Sequence, residues 1–246
     1  MRRFVNTLVP AASRAFIPLV IILCGYALGQ TVERFPDHHP KSRIVPGLAY
    51  SLPPNPHHSI VLPQIIRFPN ASLMKAVNED LRSEERSLRA QRSDCFKDHM
   101  HEAFWEHSSR VAVLTRDVFS IENKAFAYCG GTHPFENYEP LTYNMRTGKR
   151  FDFDRDSGEI FIAGELPVDD LIDLYKRHYP SDAGDCKASM IEPKAELFLH
   201  FEPTGLAILP NLPHVIAACG PEITVPYSEL RPLLKSGNPF RGLIGP

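Results

Sequence analysis

The alternation of hydrophobic and polar residues is clearest between Ala125 and Phe153, where it predicts three strands joined by turns. Tyr143, Met145, Phe151 and Phe153 alternate with polar neighbours, as in half-buried antiparallel strands whose successive side chains point to opposite faces. The rest of the chain is therefore organised around a β-hairpin.

Glycines mark the two reversals of this hairpin. Gly130 and Gly131 follow the first strand, and Gly148 lies in the turn between the second and third strands. Glycine adopts backbone angles that other residues avoid, so it permits sharp reversals.

We take six residues of the hairpin as candidate binding residues: Gly130, Gly131, Thr132, His133, Tyr138 and Tyr143.

Two helices are predicted outside the hairpin. Asn70 offers an N-cap for a helix over 71–91, whose apolar face is formed by Leu73, Val77, Leu81 and Leu88. Pro167 stands where a first-turn proline belongs, and a second helix ends before Pro180. The apolar side of the second helix carries Leu171, Leu174, Tyr175 and His178.

Further alternating segments predict strands at 111–119, 124–128, 195–201, 206–209 and 223–225, with a short helix beginning at Tyr227. Adjacent strands joined by short turns favour antiparallel pairing. We therefore predict an α+β fold, an antiparallel β-sheet with two main helices packed on one face.

The N-terminal 29 residues have the pattern of a signal peptide. Arginines at 2, 3 and 14 flank an apolar run over 16–28, and small residues precede Gln30. The run is shorter than the roughly 20 residues that span a bilayer. We expect cleavage before Gln30 and no stable membrane span afterwards, with an uncleaved anchor as the alternative.

Composition divides the remainder into three segments. Prolines are dense over 30–59, which predicts an extended linker, and the pairs His38-His39 and His57-His58 lie inside it. The folded domain is predicted over 60–235 and a flexible tail over 236–246. With 43% hydrophobic residues, the chain can form a core of useful size.

Four cysteines remain after removal of the leader: Cys95, Cys129, Cys186 and Cys219. In an exported chain they predict two disulfides, for which three connectivities exist. We prefer Cys95–Cys129 and Cys186–Cys219, because each pair is local and would cross-link a different half of the domain. No two of these cysteines have the short spacing typical of zinc sites.

Charge and motifs exclude several functions. The net charge is −2 and the charged residues are interspersed, so no basic patch indicates nucleic acid as a partner. The sequence lacks the nucleophile elbow, the phosphate-binding loop and the His-Glu-x-x-His motif. We assign no catalytic residue, cofactor or metal ligand, and we favour a non-enzymatic protein.

An enzymatic alternative rests on histidines. His99 and His101 lie in a polar segment rich in carboxylates, and His133 follows the double glycine. Histidine and carboxylate together can transfer protons or hold a metal. The alternative hypothesis is therefore a small metal-assisted or acid–base envelope hydrolase that uses His99, His101 and His133.

The order of motifs resembles a known family. Tyr128-Cys129-Gly130-Gly131-Thr132-His133-Pro134, Leu141-Thr142-Tyr143-Asn144 and Val225-Pro226-Tyr227-Ser228-Glu229-Leu230 are similar to the exported C-terminal domain of unknown function of RsiV-type anti-sigma factors. The same domain is found in PdaC-type peptidoglycan deacetylases. The resemblance covers about residues 60–234.

This resemblance implies an exported recognition module. In RsiV-type proteins the domain is a sensor that binds lysozyme, while a separate cytoplasmic segment binds the sigma factor. Only about 15 residues precede the apolar run here, which is too few for such a segment. The expected function is a periplasmic or secreted envelope-binding module that recognises lysozyme or peptidoglycan.

Overall fold

The computed structural model describes residues 41–53, 60–97, 103–181, 183–192 and 195–244. None of the helices among them combines the length and apolar character that a membrane crossing requires. The predicted signal peptide, most of the predicted linker, His99 and His101 lie outside the described residues.

The larger sheet of the described chain has six strands. They are β1 (Arg43–Ile44), β4 (Phe104–Leu114), β5 (Val118–Tyr128), β6 (Phe135–Tyr138), β7 (Leu141–Asn144) and β8 (Lys149–Phe151). Their order is β1-β4-β5-β7-β8, and β6 pairs with the remaining part of β5. All pairs are antiparallel except β1 with β4.

Two smaller sheets complete the strand inventory of the described residues. The first joins β2 (Ala49–Ser51) to β3 (Gln64–Arg67), and the second has the order β11-β10-β9. These three strands are β9 (Leu197–Phe201), β10 (Gly205–Pro210) and β11 (Ile223–Pro226). The helices are α1 (Ala71–Lys97), α2 (Phe153–Asp156), α3 (Val168–Arg177), α4 (Tyr227–Leu230) and α5 (Arg241–Ile244). This confirms the α+β class, with helices packed on antiparallel-rich sheets.

The first predicted helix is confirmed and is longer than expected. The Asn70 side chain accepts hydrogen bonds from the backbone N–H groups of Ser72 and Leu73, at 3.0 and 3.1 Å, and so caps α1. Val77 and Leu81 are buried in one hydrophobic cluster with Phe119, Ile121 and other residues of the six-stranded sheet. The helix continues to Lys97 because its last turn also has a buried anchor, Cys95.

A second hydrophobic cluster lies on the other side of β5. It combines Val118 with residues of α3, such as Leu171 and Leu174, and with residues of the three-stranded sheet. The two main helices thus contribute to separate clusters on opposite sides of β5, so the prediction that both pack on one face was wrong. The alternation along β5 explains this arrangement, because Val118 and Phe119 are neighbours in sequence and point to opposite faces.

Both disulfides have the connectivity that we preferred. Cys95 is bonded to Cys129, which ties the C-terminal end of α1 to the end of β5. Cys186 is bonded to Cys219 in the second half of the domain. Each bond closes a loop of more than thirty residues, with separations of 34 and 33, and stabilises the fold mainly by restricting the unfolded chain.

Four predicted segments differ from the structure. The predicted strand over 111–119 is two strands, since β4 ends at Leu114 and β5 begins at Val118 and pairs with it. The predicted linker contributes β1 and β2, and Leu48 within it is buried. The predicted flexible tail contains α5, and both Phe240, which precedes this helix, and Leu243 within it join the core. Phe153 belongs to α2 instead of a strand, because Asp152 caps a helical turn there through the N–H groups of residues 154 and 155. Proline density and position at a terminus misled these predictions.

The packing of α1 is tested by Leu81→Ala. Leu81 is fully buried between α1 and the six-stranded sheet, so the truncation leaves a cavity and should lower the free energy of unfolding by about 2–5 kcal/mol. Urea denaturation of the oxidised protein measures this change. Ile66→Ala is the control, since Ile66 is 60% exposed and should change the value by less than about 0.5 kcal/mol. Equal effects of the two substitutions would contradict the packing.

Candidate functional site

Among the residues that the structure describes, the most concentrated group of buried charges lies between the six-stranded and the three-stranded sheets. Arg110 of β4 and Glu122 of β5 are register partners. His200 of β9 and Glu202, which follows that strand, are two residues apart and therefore share a face. The side chains of Glu122 and Glu202 are only 3% and 1% exposed. We call Arg110, Glu122, His200 and Glu202 the ion cluster.

Arg110 joins the two sheets through charge-assisted hydrogen bonds. Its Nε donates to Oε2 of Glu122 at 2.8 Å, and its Nη2 donates to Oε1 of Glu202. Lys124 adds a second cation, with Nζ 3.0 Å from Oε1 of Glu122. The guanidinium is suited to this position because its planar fork can donate to two carboxylates at once.

The pKa of Glu202 reflects this environment. Burial acts to raise the pKa of this carboxyl, but hydrogen bonds from His200 and Arg110 outweigh it and hold the pKa below its ordinary value. The pKa of Arg110 is raised, since its two carboxylate partners outweigh the effect of burial. Arg110 and Glu202 are therefore both charged at neutral pH.

A buried tyrosine orients His200. The Tyr138 hydroxyl lies 2.9 Å from Nδ1 of His200 and donates to Oε2 of Glu222 at 2.5 Å. Because that hydroxyl has only one hydrogen, its oxygen accepts from Nδ1 of His200. Nε2 of His200 then points towards Oε1 of Glu202, 2.8 Å away. Burial and the carboxylate of Glu222 raise the pKa of Tyr138 well above its ordinary value, so this hydroxyl keeps its proton.

Two buried hydroxyls lie on the same face as Glu122. Ser120 precedes Glu122 by two residues on β5, and Thr142 is the register partner of Ser120 on β7. Both residues are buried, and their hydroxyl oxygens have no hydrogen-bond partner among the described residues. Each is an exception to the rule that buried polar atoms are paired.

Among the described residues, the ion cluster contains the one group of three side chains that could hold a metal ion. One ligand atom each from Glu122, His200 and Glu202 can be chosen so that all three atoms lie within 4.8 Å of one another. All three residues are buried. Imidazole and carboxylate are ligands that suit divalent transition metals.

The six predicted binding residues do not form one surface. Gly130 and Gly131 have left-handed φ angles of 85° and 102° and shape the turn, whose Thr132 and His133 are exposed. Tyr138 points towards the ion cluster. Tyr143 lies on the opposite face of the sheet, where it is buried and donates to Asp80 of α1 at 2.8 Å.

The histidine-based alternative gains no assembled site from the described residues. His99 and His101 lie outside them, and His133 is on the exposed turn. Two carboxylates follow His133 closely in the sequence: Glu136 is exposed, and Glu139 lies 3.7 Å from a guanidinium nitrogen of Arg150.

Beyond the ion cluster, the same face of β5 becomes aromatic. The ring centroids of Phe104 and Phe126 are 5.2 Å apart, and those of Phe104 and Tyr128 are 6.2 Å apart. All three residues are half-buried, and Phe126 has exposed register partners on both sides, Glu106 and Glu136. We call these five residues the arm surface.

Sequence reasoning missed both sites, although signals for them existed. Arg110 and Glu122 interrupt alternating strands at positions where apolar or weakly polar residues are usual. The segment from Phe198 to Glu202 alternates so that His200 and Glu202 share a face. The contact between the two sheets, which gathers these residues, has no local signature in the sequence.

Comparison with known proteins identifies a shared fold and no more. No protein-family model and no curated protein matches this chain. A solved DUF3298-family protein from Pseudomonas aeruginosa PAO1 matches with a TM-score of 0.50 and 15% identity, covering 77% of this chain and 93% of that one. Another DUF3298-family member, from Bacteroides fragilis, matches with a TM-score of 0.48 and 14% identity, covering 80% and 97%. The chain thus shares the fold of a domain of unknown function.

The ion cluster predicts a specific acid sensitivity. Because the pKa of Glu202 is depressed in the folded state, its stabilisation is complete above the unfolded pKa of about 4.3. It is lost as the pH falls through the lower folded pKa. Glu202→Gln should cost about 3–5 kcal/mol at pH 7, since it removes one partner of a buried pair, and this difference should shrink in acid.

Thermal unfolding of both proteins between pH 3 and 7 measures this difference. Glu229→Gln is the matched control, because Glu229 also pairs with a histidine, His178, at 2.8 Å but is 35% exposed. Its effect should stay below about 1 kcal/mol. A Glu202→Gln penalty that does not change with pH would refute the role given to this carboxylate.

Proposed function

We propose that this protein is an exported, non-enzymatic binding module of the cell envelope and that it recognises a basic protein of the lysozyme class through the arm surface. The observation that carries the proposal is the cluster of half-exposed aromatic rings with a carboxylate on either side of Phe126. Aromatic residues are enriched among the side chains that dominate binding energy at protein interfaces.

The electrostatics of the arm surface support a basic partner. Glu106, Phe126 and Glu136 lie side by side on β4, β5 and β6, so two carboxylates flank the central ring. Complementary charge around an apolar centre steers association and disfavours acidic partners. The resemblance of the sequence to lysozyme-binding RsiV-type domains supports the same choice.

The rigidity of the backbone next to the arm surface also supports a role in recognition. The Cys95–Cys129 disulfide immobilises the residue that directly follows Tyr128, and the Tyr128 hydroxyl donates to the carbonyl of Gly131 at 2.9 Å. A surface held in one conformation loses less entropy on binding. Two disulfides and the predicted signal peptide support a periplasmic or secreted location.

Titration calorimetry with c-type lysozyme tests this function. We expect saturable binding by the oxidised protein, and Phe126→Ala should weaken it by about 2 kcal/mol or more, roughly thirtyfold. The control is Ile162→Ala, which removes a side chain that is 62% exposed and outside the arm surface. Thermal unfolding of each variant separates loss of binding from loss of fold.

Two results would contradict the proposal. A flat titration with lysozyme would exclude this partner, and binding to soluble peptidoglycan fragments in a parallel titration would then assign the module to the wall itself. Equal weakening by Phe126→Ala and Ile162→Ala would show that the arm surface is not the contact.

A further inference from the structure

We propose that Glu122, His200 and Glu202 form a binding site for a divalent transition metal of the Zn²⁺ class, with Arg110 as the internal cation that the metal displaces. The proposal is independent of the partner at the arm surface. It rests on the ligand geometry, the hydrogen bonds around His200 and the buried hydroxyls beside Glu122.

The ligand set comes from two sheets that meet at this point. Glu122 lies on β5 of the six-stranded sheet, whereas His200 and Glu202 belong to β9 and the residue after it. Their ligand atoms lie within 4.8 Å of one another and are buried. Three protein ligands of this kind leave a further position for water in a tetrahedral zinc site. A bound ion would clamp the two sheets together.

The surroundings of His200 match those of a metal-ligating histidine. Such residues donate their second ring N–H to a neighbouring acceptor, which fixes the tautomer and the ring orientation. Here Nδ1 of His200 donates to Tyr138, which in turn donates to Glu222. Nε2 of His200 is then the nitrogen that faces Oε1 of Glu202, 2.8 Å away, so the two potential ligand atoms lie side by side.

Charge also favours an added cation. Three carboxylates, those of Glu122, Glu202 and Glu222, face two cationic side chains, Arg110 and Lys124. The Arg110 side chain is 24% exposed, while those of its carboxylate partners are almost fully buried. Arg110 therefore lies on the solvent side of the cluster and can turn outwards when a metal takes its place between the carboxylates.

The buried hydroxyls are the independent sign that this interior accommodates a polar ligand. The hydroxyl oxygens of Ser120 and Thr142 have no hydrogen-bond partner within the described structure. Ser120 lies two residues before Glu122 on the same face of β5, and Thr142 is paired with Ser120. A buried hydroxyl without a hydrogen bond is costly. A metal-bound water at the open coordination position would supply the missing partner.

The test uses the untagged full chain with its disulfides intact, stripped with a chelator and equilibrated with ZnCl₂. After removal of excess zinc, we expect one Zn²⁺ per chain by elemental analysis and a higher unfolding temperature, because an ion that binds only the folded state stabilises it. His200→Asn should lose both effects. His178→Asn is the matched control, since His178 also pairs with a glutamate at 2.8 Å but belongs to no metal-compatible group among the described residues.

Two further variants distinguish a metal site from an ordinary buried ion pair. Arg110→Gln removes the competing cation and should bind Zn²⁺ more tightly than the unmodified chain. Tyr138→Phe removes the group that holds His200 and should weaken Zn²⁺ binding about tenfold or more. These changes in affinity are measured by competition with a chromogenic chelator on protein shown to be folded by circular dichroism.

Two outcomes would overturn the proposal. The first is that neither the unmodified chain nor Arg110→Gln retains stoichiometric zinc. The second is that His200→Asn retains as much zinc as His178→Asn, which would assign the metal to other histidines among the 11 in the chain.

Discussion

Arg110 is held between a carboxylate of its own sheet and a carboxylate of the opposing sheet, and the packing of the domain depends on this arrangement. Neither Glu122 nor Glu202 has appreciable contact with water, and each charge would cost several kcal/mol to bury alone. The two sheets therefore bury their charged residues together. The burial of apolar side chains around α3 and the three-stranded sheet stabilises the fold and offsets the free-energy cost of burying these charges.

One face of β5 connects the parts of the molecule. Its side chains change from apolar at Val118 to hydroxyl at Ser120, then to charged at Glu122 and Lys124, and finally to aromatic at Phe126. Every second residue of a strand points to the same side. A single face of the eleven-residue strand β5 therefore contributes in turn to the core, the ion cluster and the arm surface. The opposite face of β5 is more uniform, because α1 covers it and Phe119 and Ile121 pack in that cluster.

The sequence was sufficient for elements whose cause is local. The Asn70 cap, the apolar stripe of α1, the glycine turn and the local cysteine pairs were all predicted and are all present. Segments whose structure depends on distant partners were missed. The strand at Arg43–Ile44 exists because β4 offers a parallel edge at Val113 and Leu114. A two-residue segment carries no pattern from which this pairing could be predicted.

The same limit explains the candidate sites. Tyr138 and Tyr143 are five residues apart in one predicted hairpin, but one faces His200 and the other faces Asp80. The sequence favoured a surface built from the hairpin, since its residues are near one another along the chain. The ion cluster instead combines residues separated by up to 92 positions, and only the meeting of two sheets brings them together.

The position of the ion cluster beside the arm surface has a physical consequence. Lys124 binds Glu122 of the cluster at 3.0 Å and is followed on the same face by Phe126 of the arm surface. A rearrangement of charge at Glu122 therefore acts on a residue adjacent to the central ring. Packed strands transmit such changes because a close-packed interior has little free volume to absorb them. If a metal ion binds at the ion cluster as proposed and changes the affinity of the arm surface for its partner, the partner must change the affinity for the metal by the same factor.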